Sequence, residues 1–175
     1  MNYNIRFANI TDESKIFELY KAVAKNTGGI ARSEKEITTS YIKTNLEKSL
    51  KNGVCLVIDH PDDNSKIIAE IHCYQLEPKV FHHILSELTV VVHPQFQDKG
   101  LGKLLFTALL YHVQTHRKDI LRIELIARES NTKAIELYKH MGFKIEGRLE
   151  KRIHSENNSF ETDIPMAWFN PNFEN

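Results

Sequence analysis

The segment Val90-Val-Val-His-Pro-Gln-Phe-Gln97-Asp-Lys-Gly100-Leu-Gly102-Lys103 is an apolar run that turns through two glycines into a helical pattern. Such a turn can hold phosphate oxygens. The first amides of a helix lack an internal acceptor and lie at the positive end of its dipole, and glycines leave the approach open. The turn lacks the Gly-x-x-x-x-Gly-Lys-Ser/Thr of a nucleoside triphosphate loop and the GxGxxG of a dinucleotide fold, which disfavours both chemistries. Asn131 and Tyr138 stand about two helical turns apart, on one face along roughly 10 Å of helix, so one ligand can touch both. The Tyr138 phenol, with a reference pKa of about 10, keeps its proton at neutral pH and can give it to a departing anion. Glu87 is a carboxylate in a mainly apolar strand, where it needs a cavity, a partner or a catalytic task. Glu124 is the alternative on a neighbouring strand.

These residues need elements to position them. Asn4 to Ala8 alternates like a short strand, and Thr11 or Asp12 then caps a helix bearing Ile16, Phe17, Leu19, Tyr20 and Val23. Gly28-Gly29 ends it, and a second helix is expected over Glu34 to Leu50, closed by Asn52-Gly53. Val54 to Asp59 and Lys66 to Gln75 read as a hairpin around His60 to Ser65. Ile84 to His93 is the candidate central strand, Gly100 to His116 an amphipathic helix, Ile120 to Ala127 a strand, and Thr132 to Met141 a helix stopped by Gly142. Phe143 to Arg152 and Phe160 to Phe169 look like a final hairpin around Ser155 to Ser159, and only 170–175 reads as a loose tail. The predicted order is β-α-α-β-β-β-α-β-α-β-β in one α/β domain over 1–175, with at least one parallel strand pair bridged by a helix.

Composition narrows the function. Lys plus Arg is 23 and Asp plus Glu is 23, so no net field favours nucleic acid or an anionic membrane. Hydrophobic residues make up 41% and charged ones 26%, the balance of a globular protein. No leader pattern or membrane span is expected, and the location read from this is cytoplasmic. Cys55 and Cys73 have no C-x-x-C spacing and read as small buried apolar residues. His112 and His116 are spaced as a metal pair but no third ligand matches, so no metal is expected. His82-His83 reads as a solvated loop.

Gln97-x-x-Gly100-x-Gly102 after a strand, followed by Asn131-x-x-Ala134-Ile135-x-Leu137-Tyr138-x-x-x-Gly142-Phe143, resembles the GNAT acetyltransferase superfamily. The resemblance covers the chain in element order and is most specific from Glu87 to Gly147. Ser86-Glu87-Leu-Thr-Val-Val-Val-His-Pro and Gly142-Phe-Lys-Ile-Glu-Gly147-Arg look similar to phosphinothricin and amino-acid acetyltransferases. It implies a GNAT fold: a central mixed sheet of six to seven strands, splayed at its centre and flanked by about four helices.

The resemblance also implies roles. Acetyl-CoA would be the acyl donor, with Val90, Val91 and Val92 offering backbone groups to its pantetheine arm. Gln97, Asp98, Lys99, Gly100, Leu101, Gly102 and Lys103 would bind the cofactor, Gln97 to Gly102 at its pyrophosphate; Lys99, Lys103 and Lys133 either meet the nucleotide phosphates or are ordinary surface lysines. Asn131 and Ala134 would meet the pantetheine, and Tyr138 the thioester sulfur. Glu87, matched by a glutamate in the phosphinothricin branch, would take the amine proton, while Gly28, Gly29 and Arg32 would contact the acceptor. Direct attack by a small-molecule primary amine in a ternary complex is the expected reaction. Alternatives are acetylation of a protein N-terminus or lysine, and a non-catalytic CoA-binding regulatory module. A homodimer is an open alternative to a monomer.

Overall fold

The computed structural model describes residues 3–26, 30–154 and 158–174. Its elements are β1 (Ile5–Phe7), α1 (Glu13–Ala24), α2 (Thr39–Asn52), β2 (Gly53–His60), β3 (Asp63–Gln75), β4 (Ile84–Val92), α3 (Leu101–His116), β5 (Arg122–Arg128), α4 (Thr132–His140), β6 (Lys144–Ile145), β7 (Leu149–His154) and β8 (Phe160–Phe169). The strands hydrogen-bond in the order β1-β2-β3-β4-β5-β8-β6, with β7 also on β8, a mixed sheet of the α/β class. Contacts divide the chain into two compact units, Met1–Gln75 with Thr89–Leu110, and Leu76–Leu88 with Tyr111–Asn175.

In the first unit β1, β2 and β3 form an antiparallel meander. Ile16, Leu19, Tyr20 and Val23 recur at i, i+3, i+4 and i+7, so α1 buries one stripe, and Ile42 and Leu46 of α2 join the same core. Gly53 opens β2 where a Cβ would lie 2.0 Å from the Cys73 carbonyl oxygen, so only glycine fits between the strands. Asp12 stands at the N-cap position of α1, as expected, but its side chain makes no cap bond there. The side-chain cap comes earlier, where Asn9 accepts from the Thr11 amide at 2.9 Å ahead of a 3-10 turn, Ile10–Asp12. The Asp12 carboxylate accepts instead from the Asn9 amide and from Arg6 at 2.7 and 2.9 Å, and Arg6 reaches on to Asp59 at 2.8 Å. One guanidinium thus ties β1, the entry to α1 and β2.

The second helix starts at Thr39, not Glu34. Glu34–Glu36 is an isolated 3-10 turn, Ile37 is extended, and Thr38 Oγ1 caps the helix by accepting from the Tyr41 amide at 3.1 Å. The β-branched run Ile37-Thr-Thr resists helix, and a threonine hydroxyl is a good cap. The expected Gly28-Gly29 stop lies outside the described residues, as does part of the Ser155 to Ser159 turn.

In the second unit β4 starts parallel to β5, Ile84 facing Arg122 and Leu85 facing Ile123, as a helical connection requires. Two residues on, Glu87 takes a φ of 55°, a left-handed turn inside a strand that kinks it where the expected parting from β5 has to start. β5 pairs with β8 antiparallel over its full length, from Arg122↔Phe169 to Arg128↔Asp163. The strand expected over Phe143 to Arg152 is two strands, which makes the sheet eight-stranded rather than six or seven. Pro165 of β8 has no amide to donate, and its carbonyl takes the Glu146 amide at 2.9 Å, so the ladder breaks between β6 and β7.

The tail is tied down where a loose one was expected. Asn170 is buried and donates from Nδ2 to the Ile120 carbonyl at 3.0 Å, Asn172 donates to the Gln114 carbonyl at 3.1 Å, and the Glu174 amide reaches Lys118 O at 2.9 Å. Among the described residues no helix is long and apolar enough to cross a membrane.

Candidate active site

The glycine turn lies wholly in the first unit. The His93 amide bonds Ile68 O at 2.8 Å, Pro94–Phe96 makes a 3-10 turn, and Gln97 is extended. Asp98 and Gly100 then take φ of 61° and 79°, swinging the chain into α3. Gln97 Nε2 donates to Val92 O at 3.2 Å, strapping the turn to the end of β4. The first bond closing α3 runs from the Leu104 amide to Gly100 O at 3.0 Å, so the amides ahead of it have no carbonyl to reach inside the helix. A Cβ placed on Gly100 or Gly102 meets nothing within 4 Å, so that end of the helix opens onto free space. This fits a diphosphate group: bare amides at the positive end of a four-turn dipole, with an open approach.

Several assigned residues contribute backbone alone. Val91 and Leu101 bury their side chains in the core, whereas Val90 and Val92 are half-buried. The Lys99 ammonium lies 4.6 Å over the Phe96 ring, and Asp98, Lys103 and Lys133 are exposed.

Glu87, Glu124, Asn131, Ala134 and Tyr138 belong to the second unit. Glu87 is exposed at the kink of β4. Glu124 is committed elsewhere, 3.0 Å from Arg122 Nη2, which also holds Glu146 at 2.6 Å. Asn131 is the N-cap of α4, its Oδ1 accepting from the Ala134 amide at 3.2 Å with backbone angles outside the helix. The two-turn spacing to Tyr138 therefore starts one residue early, and the Asn131 side chain has a structural task that spacing did not show. Replacing Asn131 with alanine should cost about 1 kcal/mol through the lost cap, measurable by thermal melting, whether or not the carboxamide also meets a ligand.

Tyr138 is half-buried, with its ring 6.1 Å from Phe143. Burial pushes its hydroxyl pKa up to about 12, so the phenol is fully protonated at neutral pH. Its carbonyl accepts from the amides of Met141 and Phe143 at 3.1 and 3.0 Å, and Gly142 turns the chain with a φ of 94°. Arg32 is exposed and rests over the Tyr41 ring at 4.1 Å, while Gly28 and Gly29, expected to contact acceptor, lie outside the described residues. His112 and His116 stack at 5.2 Å, and no group of three metal-binding side chains occurs among the described residues.

One cluster was missed from sequence. Glu70 is buried on β3 and accepts from Tyr20 Oη at 2.8 Å through Oε2 and from Cys55 Sγ at 3.2 Å through Oε1, and His72 Nδ1 lies 2.8 Å from that same Oε1. Cys55, expected to be merely apolar, is a hydrogen-bond donor whose pKa is pushed up by burial and by the neighbouring carboxylate. The signal was Glu70 and His72 at alternate positions inside the apolar run Ile67 to Tyr74, which puts both on one buried face.

A parallel strand pair and a bare glycine turn leading into α3 are features of an α/β protein whose helix start can take up phosphate oxygens. The model of the acetyltransferase (GNAT) family matches residues 16–143, and the chain belongs to that family. It is 32% identical over 87 residues to the [ribosomal protein bS18]-alanine N-acetyltransferase of Salmonella typhimurium, a match covering 48% of this chain and 57% of that protein. It is 40% identical over 62 residues to the UPF0157 protein YqkA of Bacillus subtilis, covering 35% of this chain and 17% of that protein. The matches thus span well under two thirds of these curated relatives. Among solved structures, a GNAT-family acetyltransferase from Streptococcus pneumoniae superposes with a TM-score of 0.85 at 23% identity, covering 96% of this chain and 99% of that one. yncA of Salmonella typhimurium, solved with its cofactor acetyl-CoA, gives 0.79 at 21%, covering 97% and 94%. A phosphinothricin acetyltransferase from Sinorhizobium meliloti gives 0.76 at 16%, covering 97% and 89%. At such identities these likenesses establish the fold and leave the expected closeness to the phosphinothricin branch without special support.

Proposed function

We propose that the protein is an acetyl-CoA-dependent N-acetyltransferase acting on a primary amine of a small molecule by direct attack. The observation that carries this reading is Tyr138, a phenol kept protonated by burial, in a family member whose glycine turn leaves helix amides bare. Residues Gln97 to Gly102 would hold the diphosphate by backbone amides, and acetyl-CoA supplies the activated acyl group. An acceptor amine arrives as ammonium. Glu87, exposed at the kink of β4, takes that proton directly or through water, freeing the lone pair for the carbonyl carbon. The strand amides near Val90 polarise the carbonyl oxygen. As the C–S bond breaks, Tyr138 gives its proton to sulfur and regains one from the acylated nitrogen, directly or through water, so the products are the amide and free thiol with one net proton released. Glu124, 3.0 Å from Arg122 Nη2, is the alternative base.

The test is a thiol-release screen with acetyl-CoA against amino acids, polyamines, aminoglycosides and peptides. Glu87→Gln should lower kcat/KM by about 10²-fold at neutral pH, with partial recovery as rising pH supplies free amine. An unchanged rate for the variant with every active acceptor removes Glu87 from the reaction. A second reading, transfer to the N-terminal amine of a protein, is favoured by the similarity to the alanine N-acetyltransferase of Salmonella typhimurium. Turnover with peptides and none with free amines would select it.

A further inference from the structure

A cavity of about 500 Å³ opens in the first unit between α1, the β2–β3 hairpin and the turn that follows β4, well inside the size range of small-molecule sites. Gly100, Gly102, Glu87 and Tyr138 do not line it. Its walls are of two kinds. Leu19, Ala22, Ile67 and Ile68 are apolar, and Phe96 meets the His60 and His93 rings edge-on at 5.2 and 6.0 Å, a cluster of three rings.

The polar lining is dominated by donors. His60 Nδ1 accepts from the Asp62 amide at 3.1 Å, and His93 Nδ1 accepts from the Gln95 amide at 3.3 Å. An imidazole nitrogen that accepts an amide proton carries none itself, so in each neutral ring the proton sits on Nε2 and that nitrogen is a donor. Burial and the nearby His60 and Lys66 lower the pKa of His93, which favours this neutral form. The same tautomers exclude metal ligation through Nε2, which needs a lone pair there. Lys15 and Lys66 add two ammonium groups and Ser14 and Ser65 two hydroxyls. Lys15 is anchored to Asn64 O at 2.8 Å and Lys66 to Asp63 at 2.8 Å, so both heads are fixed near the hairpin. Two carboxylates offset that charge, Glu18 in the lining and Asp63 beside Lys66, so the surplus is one of hydrogen-bond donors rather than of net charge. Donors set among and beside aromatic rings are complementary to an aromatic body that ends in an oxyanion.

We propose that this cavity binds a small aromatic or otherwise flat carboxylate or phosphate, at a site separate from the glycine turn. Phe96 and Gln95 lead directly into Gln97, and the Lys99 ammonium lies over the Phe96 ring, so an occupant is in a position to adjust the turn.

The probe is naphthalene-1-carboxylate, titrated calorimetrically into the full chain with saturating CoA, beside the uncharged naphthalene-1-carboxamide. The carboxylate should bind at least tenfold more tightly than the carboxamide. His60→Phe, which keeps the ring and removes the donor, should weaken it about tenfold, and Lys15→Gln several-fold. Melting curves establish that the variants fold, and Lys15→Gln decides alone should His60→Phe fail to. Equal affinity for the two probes, an unchanged affinity in the folded variants, or no binding of the carboxylate at millimolar concentration overturns the proposal. Displacement of the carboxylate by CoA also overturns it, since the cavity would then belong to the nucleotide.

Discussion

Tyr138→Phe should lower kcat for thiol release by about 10²- to 10⁴-fold while KM for acetyl-CoA stays within roughly twofold. The change removes one oxygen and keeps the ring against Phe143, and the capping bonds to the Tyr138 carbonyl are backbone bonds that it does not touch. A loss in kcat with an intact KM is the mark of an interaction made only as sulfur departs. Because burial lifts the hydroxyl to about 12, no alkaline limb from this residue should appear in the ordinary working range. The same rate in both proteins with every active acceptor gives the proton transfer to another group.

Arg6→Ala should destabilise the fold by about 3 kcal/mol, because it strands a buried carboxylate that three bonds now satisfy. For a chain of this size that is a fall in Tm of roughly 6–12 °C. The effect has a defined pH signature. Burial alone raises the Asp12 pKa, but the bonds from Arg6 and the Asn9 amide outweigh it, and the folded value lies below the ordinary one. A depressed folded pKa contributes stability that is complete above the unfolded value of about 3.9 and drains away as pH falls through the folded value. Without Arg6 burial dominates and the sign reverses, so the variant's deficit should be largest at neutral pH and shrink in acid. Denaturant titrations at pH 7 and pH 4 read this directly, and an equal deficit at both pH values would show that the lost contacts are not electrostatic.

The fold was legible wherever one face of an element is apolar at the right period. The stripe of α1, the hairpin of β2 and β3, the run of β4 and the C-terminal glycine of α4 all announced themselves this way. Helix starts were less legible, since Asn9, Thr11 and Asp12 are all good caps and the choice turns on Arg6, which draws the Asp12 side chain away. The break between β6 and β7 depends on a proline in a different strand, which no local pattern in 143–152 reveals. At the candidate site, the glycine turn was readable from residue type because bareness is itself the property needed. The capping role of Asn131, the pairing of Glu124 and the two imidazole tautomers were not, because each is decided by a partner's position.

Both cysteines are sealed inside the protein, Cys55 with its proton held toward Glu70. A disulfide dye added to the native protein should therefore find no thiolate to attack, and every equivalent of colour in the proposed thiol-release assay would come from liberated CoA. The same two sulfurs become a clock when the chain opens. Their rate of labelling without substrate reports how often the meander of β1 to β3 comes apart, and Arg6→Ala should make that clock run faster.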